Sequence, residues 1–400
     1  MISKTLKYLN SFGFIGSLLL IFYLMNPLNY GIYIGYLLII WIVLKSDFLK
    51  KNLDFDFLFL FVFSTCYALF YCFNPVAGLQ YAAVYMFTPP FLYLIGKYLA
   101  QKSTSTDQLF YVLISIGLVL SIAPLISVLL DLMTGGFLQA NRSIPMFWGG
   151  EPKNATGMAA PLVLNMCIPA ILLASYKKMG KIFKILLIAV FILSLLCVLR
   201  LGSRTQLVIV LFTFLIALAT LVPKQSLKQN VMLFSMLAIG VYLVFRNVSF
   251  DLDSDWATSF AGRMENNGAQ DIASGGGRTD RWVKSLENFY KKPFGWDVDD
   301  FGFSHNLWFD VMRVGGSLTF VLLVSHSIRS YLLVKKAIKA NSKAIAMNML
   351  LFTYFIAFML LFMVEPIVDG SFYLFVLFCA YLGIVNKYRS REENSSVQRN

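Results

Sequence analysis

Charge is scarce in this chain: Asp, Glu, Lys and Arg make up 14% of its 400 residues, against about 25% in an ordinary globular protein. So few charges cannot cover the surface of a soluble fold this size, which excludes a soluble enzyme. The 58% hydrophobic fraction excludes a disordered chain, which needs the opposite balance. Histidine occurs only as His305 and His326. The five cysteines (Cys66, Cys72, Cys167, Cys197, Cys379) all sit in apolar stretches without a CxxC pair. Neither a disulfide framework nor a Cys/His metal site is expected from them. The chain also lacks a Walker loop, an HExxH and a GxSxG, the usual marks of soluble nucleotide, zinc and serine chemistry. Lys and Arg outnumber Asp and Glu by 34 to 21. They are scattered through short connectors, whereas a nucleic-acid face needs them clustered on a solvated domain. No nucleic-acid partner is expected.

What remains is apolar length. A bilayer core about 30 Å thick needs about 20 apolar residues per helix. Twelve segments qualify, near 9–25, 30–44, 55–73, 79–98, 109–131, 156–175, 183–199, 205–222, 230–246, 306–327, 345–364 and 371–386. The reading is an all-α integral membrane protein with about twelve transmembrane helices over 1–386. Lys4 and Lys7 precede the first run and Asn26-Pro27 follows it without a small-residue cleavage site, so that run is read as a retained span. With the N-terminus in the cytoplasm, alternate connectors counted with their adjoining helix ends (Lys97 and Lys184 among them) hold 22 of the 34 lysines and arginines, although the opposite connectors are longer in total. This bias places both termini inside. The polar segment 387–400 reads as a disordered cytoplasmic tail.

Two outer connectors exceed a tight turn. One is 132–155, with Arg142 and Trp148-Gly-Gly-Glu-Pro-Lys-Asn154. The other, 247–304, is a long hydrophilic loop between spans nine and ten that opens with Asp251, Asp253 and Asp255. Within it, Trp282, Leu286 and Phe289 recur at spacings of four and three, which predicts a short amphipathic helix over 279–292. Pro293 ends it.

Arginines gather at this outer side. Arg200 and Arg204 bracket the short turn between spans seven and eight. Snorkelling to headgroups accounts for such residues, yet a connector this short can also dip into the bundle. Arg278 follows Gly275-Gly276-Gly277, with Arg281 three residues on and on the same helix face; glycines before a helix start leave N–H groups for an anion. Arg313 lies eight residues past His305, about 12 Å along span ten, where an arginine is a functional candidate. His305, in Gly302-Phe-Ser-His-Asn306 at the helix mouth, suits proton transfer near pH 7. A capping or interfacial histidine fits that position equally. His326, 21 residues on, falls about 31 Å away along a continuous helix, so the pair cannot share a metal. Guanidinium forks suit bidentate phosphate recognition, and a diphosphate on a membrane lipid would present its charge at this depth.

Four elements in order resemble the O-antigen ligase/polymerase family. Ser304-His-Asn-Leu-Trp-Phe-Asp310 followed by Gly315-Gly316 resembles its HNxxLD…G signature. Gly277-Arg278-Thr-Asp-Arg-Trp282 with Lys292-Pro-Phe-Gly295 resembles its GR…W…PxxG run. Gly202-Ser-Arg204 resembles its SRG-type turn, and Glu151-Pro-Lys-Asn154 its (D/E)PN-like start of a middle span. The likeness covers roughly 150–320. Thr205, Lys153 and Arg313 depart from the family pattern, the last where an acidic residue is common. The resemblance implies a GT-C-like helical bundle in the bacterial inner membrane. Its activity would move a glycan from undecaprenyl diphosphate to an acceptor hydroxyl on the periplasmic face, with inversion. Arg204 and Arg278 would neutralise the leaving diphosphate, with Arg142, Arg200, Arg281 and Arg313 as helpers. His305 would orient or deprotonate the acceptor, and Asn154 and Asn306 would help to position substrate. No metal, nucleotide or other cofactor is implied, because the donor is already activated.

The acceptor separates two members of that family. A repeat-unit polymerase for O-antigen or capsule extends another lipid-linked unit; an O-antigen ligase loads lipid A–core. The polymerase reading is preferred because such enzymes are the more diverse, and it adds a chain-length regulator and a flippase as partners. A glycan flippase or other transporter is a competing class. Transporters usually carry midmembrane polar groups and half-to-half repeats, and the long loop here has no earlier counterpart.

Overall fold

The computed structural model describes residues 11–137, 142–175, 179–247 and 277–397. Those residues are helical nearly throughout; the one β feature among them is an isolated bridge between Ile144 and Lys153. Each of the twelve expected apolar segments contains a helix. The chain forms two compact units, Met1–Leu120 with Gly277–Asn400, and Ser121–Gly276.

The first unit begins with α1 (Phe14–Met25) and α2 (Gly31–Val43), which pack on each other. Asn26 ends α1 in the left-handed region, and its side chain accepts the Gly31 N–H at 2.7 Å. The short α3 (Ser46–Asn52) turns 86° from α2. Asp54 caps α4 (Phe55–Tyr71) by accepting the Phe57 N–H at 2.9 Å. Next come α5 (Gln80–Lys102) and α6 (Thr106–Gly135), whose later turns belong to the second unit.

That second unit continues with α7 (Ala155–Ala159), α8 (Ile168–Ser175), α9 (Lys181–Leu201), α10 (Arg204–Leu221) and α11 (Leu227–Asn247). Its core holds a polar knot, in which Asn165 Nδ2 donates to Ser121 Oγ at 2.8 Å and to Ser194 Oγ at 2.9 Å. The chain then returns to the first unit with α12 (Arg278–Lys291), α13 (Leu307–Ala340), α14 (Ile345–Val364), α15 (Ile367–Gly370) and α16 (Phe372–Val397).

By length and composition, six helices among the described residues suit a membrane span, or eight if each of two bent pairs counts as one. The chain is therefore a multi-pass membrane protein. At 12 residues α1 is only about 18 Å long, short of a bilayer core. The helices α5 and α16 make the closest pairing of the first unit. A Cβ on Gly96 would fall 1.8 Å from the Ala380 carbonyl oxygen, and one on Gly383 1.9 Å from that of Tyr93. Small residues are what let helix backbones touch in this way.

Two expectations from the sequence change here. Lys97 is not a solvated connector residue: it is 4% exposed and donates to Asp54 at 2.7 Å and to the Asn52 carbonyl at 2.8 Å. Nor is 387–400 wholly disordered. Helix α16 runs on to Val397, and Glu392 ties it down by accepting from Thr106 Oγ1 at 3.1 Å and Asn341 Nδ2 at 2.8 Å.

The largest departure concerns α13, which breaks at Gly316 (φ 70°, ψ −175°). The limbs 307–315 and 317–340 fold back on each other. Trp308 Nε1 donates to Ser327 Oγ at 2.9 Å across 19 residues, a separation that spans about 28 Å in a straight helix. The Phe309 and Phe320 rings stack at 6.1 Å, 3° from parallel. The 31 Å separation expected for His305 and His326 therefore fails, because it presumed a continuous helix. His326 is 5% exposed and stacks on Phe59 at 6.4 Å.

The reversal requires glycine. A Cβ on Gly316 would sit 2.3 Å from the Pro293 carbonyl oxygen, and the backbone angles lie in a region that costs other residues about 1–3 kcal/mol. Gly316→Ala should lower the melting temperature of the purified protein measurably. An unchanged transition would show that the reversal is not fixed at this turn.

Candidate functional site

The first unit assembles its candidate site from α12, the connector 292–306 and limb 307–315. Helix α12 starts at Arg278, directly after Gly277 in the left-handed region (φ 74°). The expected amphipathic helix is thus present, shifted by one residue. Trp282, Ser285 and Phe289 face the unit, while Leu286, expected on that face, is 53% exposed. Trp282 Nε1 donates to the Ser304 carbonyl at 2.9 Å, and the Ser285 and Ser304 hydroxyls lie 2.9 Å apart. Higher up, Ser317 Oγ donates to the Phe289 carbonyl at 2.6 Å. These contacts run α12 alongside limb 307–315, with Arg278 and His305 toward the same end.

His305 sits in an unusual turn. Its φ is 53°, in the left-handed region that is uncommon outside glycine and where Asn, Asp and His lead among the other residues. Asp310, 0% exposed, holds that turn from below: its two oxygens accept the Ser304 N–H at 2.8 Å and the Asn306 N–H at 3.2 Å. Both backbone donors flanking His305 are thereby fixed. Its Nδ1 is buried and has no hydrogen-bond partner among the described residues. Burial, then the charges of Arg278 and Arg281, lower its pKa to about 4. The imidazole is therefore neutral at pH 7 and able to accept a proton.

The other candidates of this unit are more committed. Arg281 Nη1 donates to the Phe303 carbonyl at 3.0 Å. Asn306 is 5% exposed and uses both ends of its amide on the protein. Its oxygen accepts from Trp308 and Phe309 N–H, and its Nδ2 donates to the Met363 carbonyl at 3.2 Å. It is a helix cap that also anchors the turn to α14. Arg313 is 3% exposed; its Nη2 donates to both oxygens of Asp369 at 3.0 and 2.9 Å, with the Phe303 ring 5.2 Å from its guanidinium carbon. Arg278 is half-buried.

The remaining four candidates lie in the second unit. Arg200 is 0% exposed and paired with Asp131 at 2.9 Å. Arg142 Nε donates to the Leu201 carbonyl at 2.8 Å, and its Nη2 to Leu201 and Gly202, satisfying carbonyls that a helix C-terminus leaves open. Arg204 opens α10, after Gly202 ends α9 in the left-handed region (φ 58°). Asn154 caps α7, accepting the Gly157 N–H at 2.8 Å. Lys153 is half-buried in the bridge to Ile144, and this burial lowers its pKa. Gly275 and Gly276, the rest of the glycine run before Arg278, lie outside the described residues.

The structure adds carboxylates to the cations legible in the sequence: Asp310 under His305, Asp369 on Arg313 and Asp131 on Arg200. Of these Asp310 was the most legible, since an acidic residue in the first turn after an Asn cap reaches back to N-terminal N–H groups. Among the described residues no three His, Cys, Asp or Glu side chains gather to hold a metal ion. No protein-family model and no curated protein sequence matches the chain.

Proposed function

We propose that the chain is a lipid-linked glycan transferase of the O-antigen ligase/polymerase type. In this reading it has twelve spans in a GT-C-like bundle with both termini cytoplasmic, and it joins surface-polysaccharide repeat units on the periplasmic face. The observation that carries the reading is His305: a neutral imidazole, backbone-clamped by Asp310, with an unpartnered Nδ1 and two arginines in electrostatic range. That set matches acid–base transfer next to an anionic leaving group better than it matches a helix cap, a task Asn306 already performs.

The step proceeds as follows. His305 takes the proton of the acceptor hydroxyl as its oxygen attacks the anomeric carbon of the donor. The bond from that carbon to the diphosphate breaks, and undecaprenyl diphosphate leaves. Arg278 and Arg281 neutralise the charge that develops on it, the largest task in such a reaction; Arg204 is carried as a donor-binding candidate by the resemblance alone. Arg142 satisfies the Leu201 and Gly202 carbonyls, and Arg200 and Arg313 are buried against Asp131 and Asp369; all three serve as framework in this reading.

The decisive assay is transfer by purified, reconstituted protein from an undecaprenyl-diphosphate-linked repeat unit, in EDTA. Elongated lipid-linked glycan is the expected product; its absence with a verified donor removes the reading. In cells, deletion should leave a single repeat unit on lipid A–core. Complete loss of glycan would instead assign the ligase reaction. Reporter fusions at Tyr290 should read periplasmic and those at Lys181 and Asn341 cytoplasmic. A cytoplasmic signal at Tyr290 would put the proposed site on the wrong side of the membrane.

A further inference from the structure

Helix α12 lies in a segment too polar to be a span, yet one of its edges is apolar and bare. At about 100° per residue, Val283, Leu286 and Tyr290 fall within an arc of about 60°. They are 51%, 53% and 84% exposed. The adjoining face, with Trp282, Ser285 and Phe289, is taken up by the rest of the unit. Asp280, Lys284, Glu287 and Lys291 gather in a third arc of about 60°, away from both, and all four are exposed. Phe294, just past the helix end at Lys291, is a further bare ring at 78% exposure.

Contacts with two spanning helices fix the level at which this edge lies. Helix α14 is long and apolar enough to cross a bilayer. The carbonyl of Met363, one residue before its end, accepts from Asn306 Nδ2 at 3.2 Å. Ser304, on the same turn, is held by Trp282 and Ser285 of α12. The middle of α12 is therefore level with the end of a span. Its last turn meets limb 317–340, where the Phe289 and Phe320 rings stand edge to face at 5.8 Å. Leu318 and Val321, to either side of Phe320 in sequence, are 54% and 48% exposed. On a helix that crosses a bilayer, such side chains face acyl chains. The bare edge of α12 thus lies where the lipid-facing surface of a span begins.

The residues at the end of the edge fit lipid as its cover. Tyr290 has an apolar body and a polar tip, the type enriched where acyl chains meet headgroups. Lys291 and Lys292 follow it, with stems that can run along an apolar surface while the ammonium stays in water. Both already face carboxylates, Glu287 and Asp300, so the edge does not depend on anionic headgroups for its cover. An amphipathic helix of this kind buries its apolar side to about 5–10 Å in the boundary between headgroups and chains.

We propose that α12 is an interfacial helix whose Val283–Leu286–Tyr290 edge inserts among lipid acyl chains, while its charged arc is turned to water. The helix that carries Arg278 is then seated at headgroup level, and a lipid-borne group reaches it without leaving the bilayer. That use rests on the transferase reading; the lipid contact does not.

The test places an environment-sensitive fluorophore on single introduced cysteines of the full chain in phosphatidylcholine nanodiscs, with Cys66→Ser and Cys72→Ser in the parent. Leu286→Cys and Tyr290→Cys report on the edge, and Asp280→Cys and Glu287→Cys on the charged arc. Val283→Cys replaces either edge variant that melts below the parent. Labels on the edge should emit at shorter wavelength and be quenched more by a nitroxide on the upper acyl chain than by aqueous iodide. Labels on the charged arc should show the reverse order. Added phosphatidylglycerol should leave the pattern unchanged. The proposal is overturned if iodide quenches all positions alike, which puts the edge in water. It is equally overturned if neither quencher reaches the edge, which means that protein covers it, or if the pattern appears only with phosphatidylglycerol. Because no transfer is measured, lipid contact in a protein without transfer activity removes the transferase reading alone, and transfer with a water-exposed edge removes this proposal alone.

Discussion

His305→Asn is expected to reduce transfer by about 10²–10⁴-fold, the usual cost of losing a general base, while abundance and melting temperature stay at the parent level. Asparagine is the informative replacement because of the backbone. His305 has φ 53°, a region that Asn tolerates, whereas Ala and most other replacements pay about 1–2 kcal/mol there. The clamp from Asp310 to the flanking N–H groups uses no atom of the imidazole, so it survives the change. If His305 only shaped the turn, Asn would keep near-parent activity, and the burden would shift to charge neutralisation by the arginines. The pH profile supplies a second readout. His305 is a base only above its pKa, so activity is present above that value and lost as pH falls through it. Burial together with Arg278 and Arg281 puts that value at about 4 in the free protein. The acid limb of kcat/KM should therefore lie near pH 4 and not near the 6.5 of an ordinary histidine. A bound diphosphate offsets the two arginine charges and raises the pKa. The limb of kcat, which reports the complex, should then lie at higher pH. An acid limb of kcat/KM near 6.5 would contradict the buried imidazole.

Composition made the helical membrane character legible, and each apolar run contains a helix, although α13 and α16 run 13 and 11 residues past the expected ends and α3 lies in an expected connector. Span counting was less secure because hydrophobicity does not distinguish a helix that crosses from one that bends. The α2–α3 pair turns 86°, and 155–175 is bent by 47°. The α13 reversal was hidden in the same way. The apolar run continues through Gly315-Gly316, and only the glycine pair itself hinted that the backbone leaves the helix there. In the candidate site, cations stood out because they are rare in apolar sequence. Their partners did not, because pairing depends on tertiary contacts far apart in the chain. Asp131 meets Arg200 and Asp369 meets Arg313 across 69 and 56 residues of sequence. A buried arginine with such a partner and an arginine presented to a ligand look alike in sequence.

Arg278→Lys and Arg204→Lys should each lower kcat/KM for the donor about 10- to 100-fold, the worth of one charge-assisted hydrogen bond. Charge is kept in both, but one ammonium cannot reproduce a planar fork that holds two phosphate oxygens. Arg278 is placed for this at the first turn of α12, where Gly277 turns the chain into the helix and N-terminal N–H groups favour an anion. Arg204 holds the corresponding first position of α10 after Gly202 and Ser203. Arg200→Lys is the internal comparison. Its guanidinium is 0% exposed and faces Asp131, so its replacement should act on stability and lower the melting temperature, because a buried charge is left poorly matched. Per folded molecule, its donor kcat/KM should stay near the parent value. If the lysine variants at 278 and 204 transfer like the parent at equal abundance, both arginines only reach toward headgroups, and neutralisation of the leaving group would rest on Arg281.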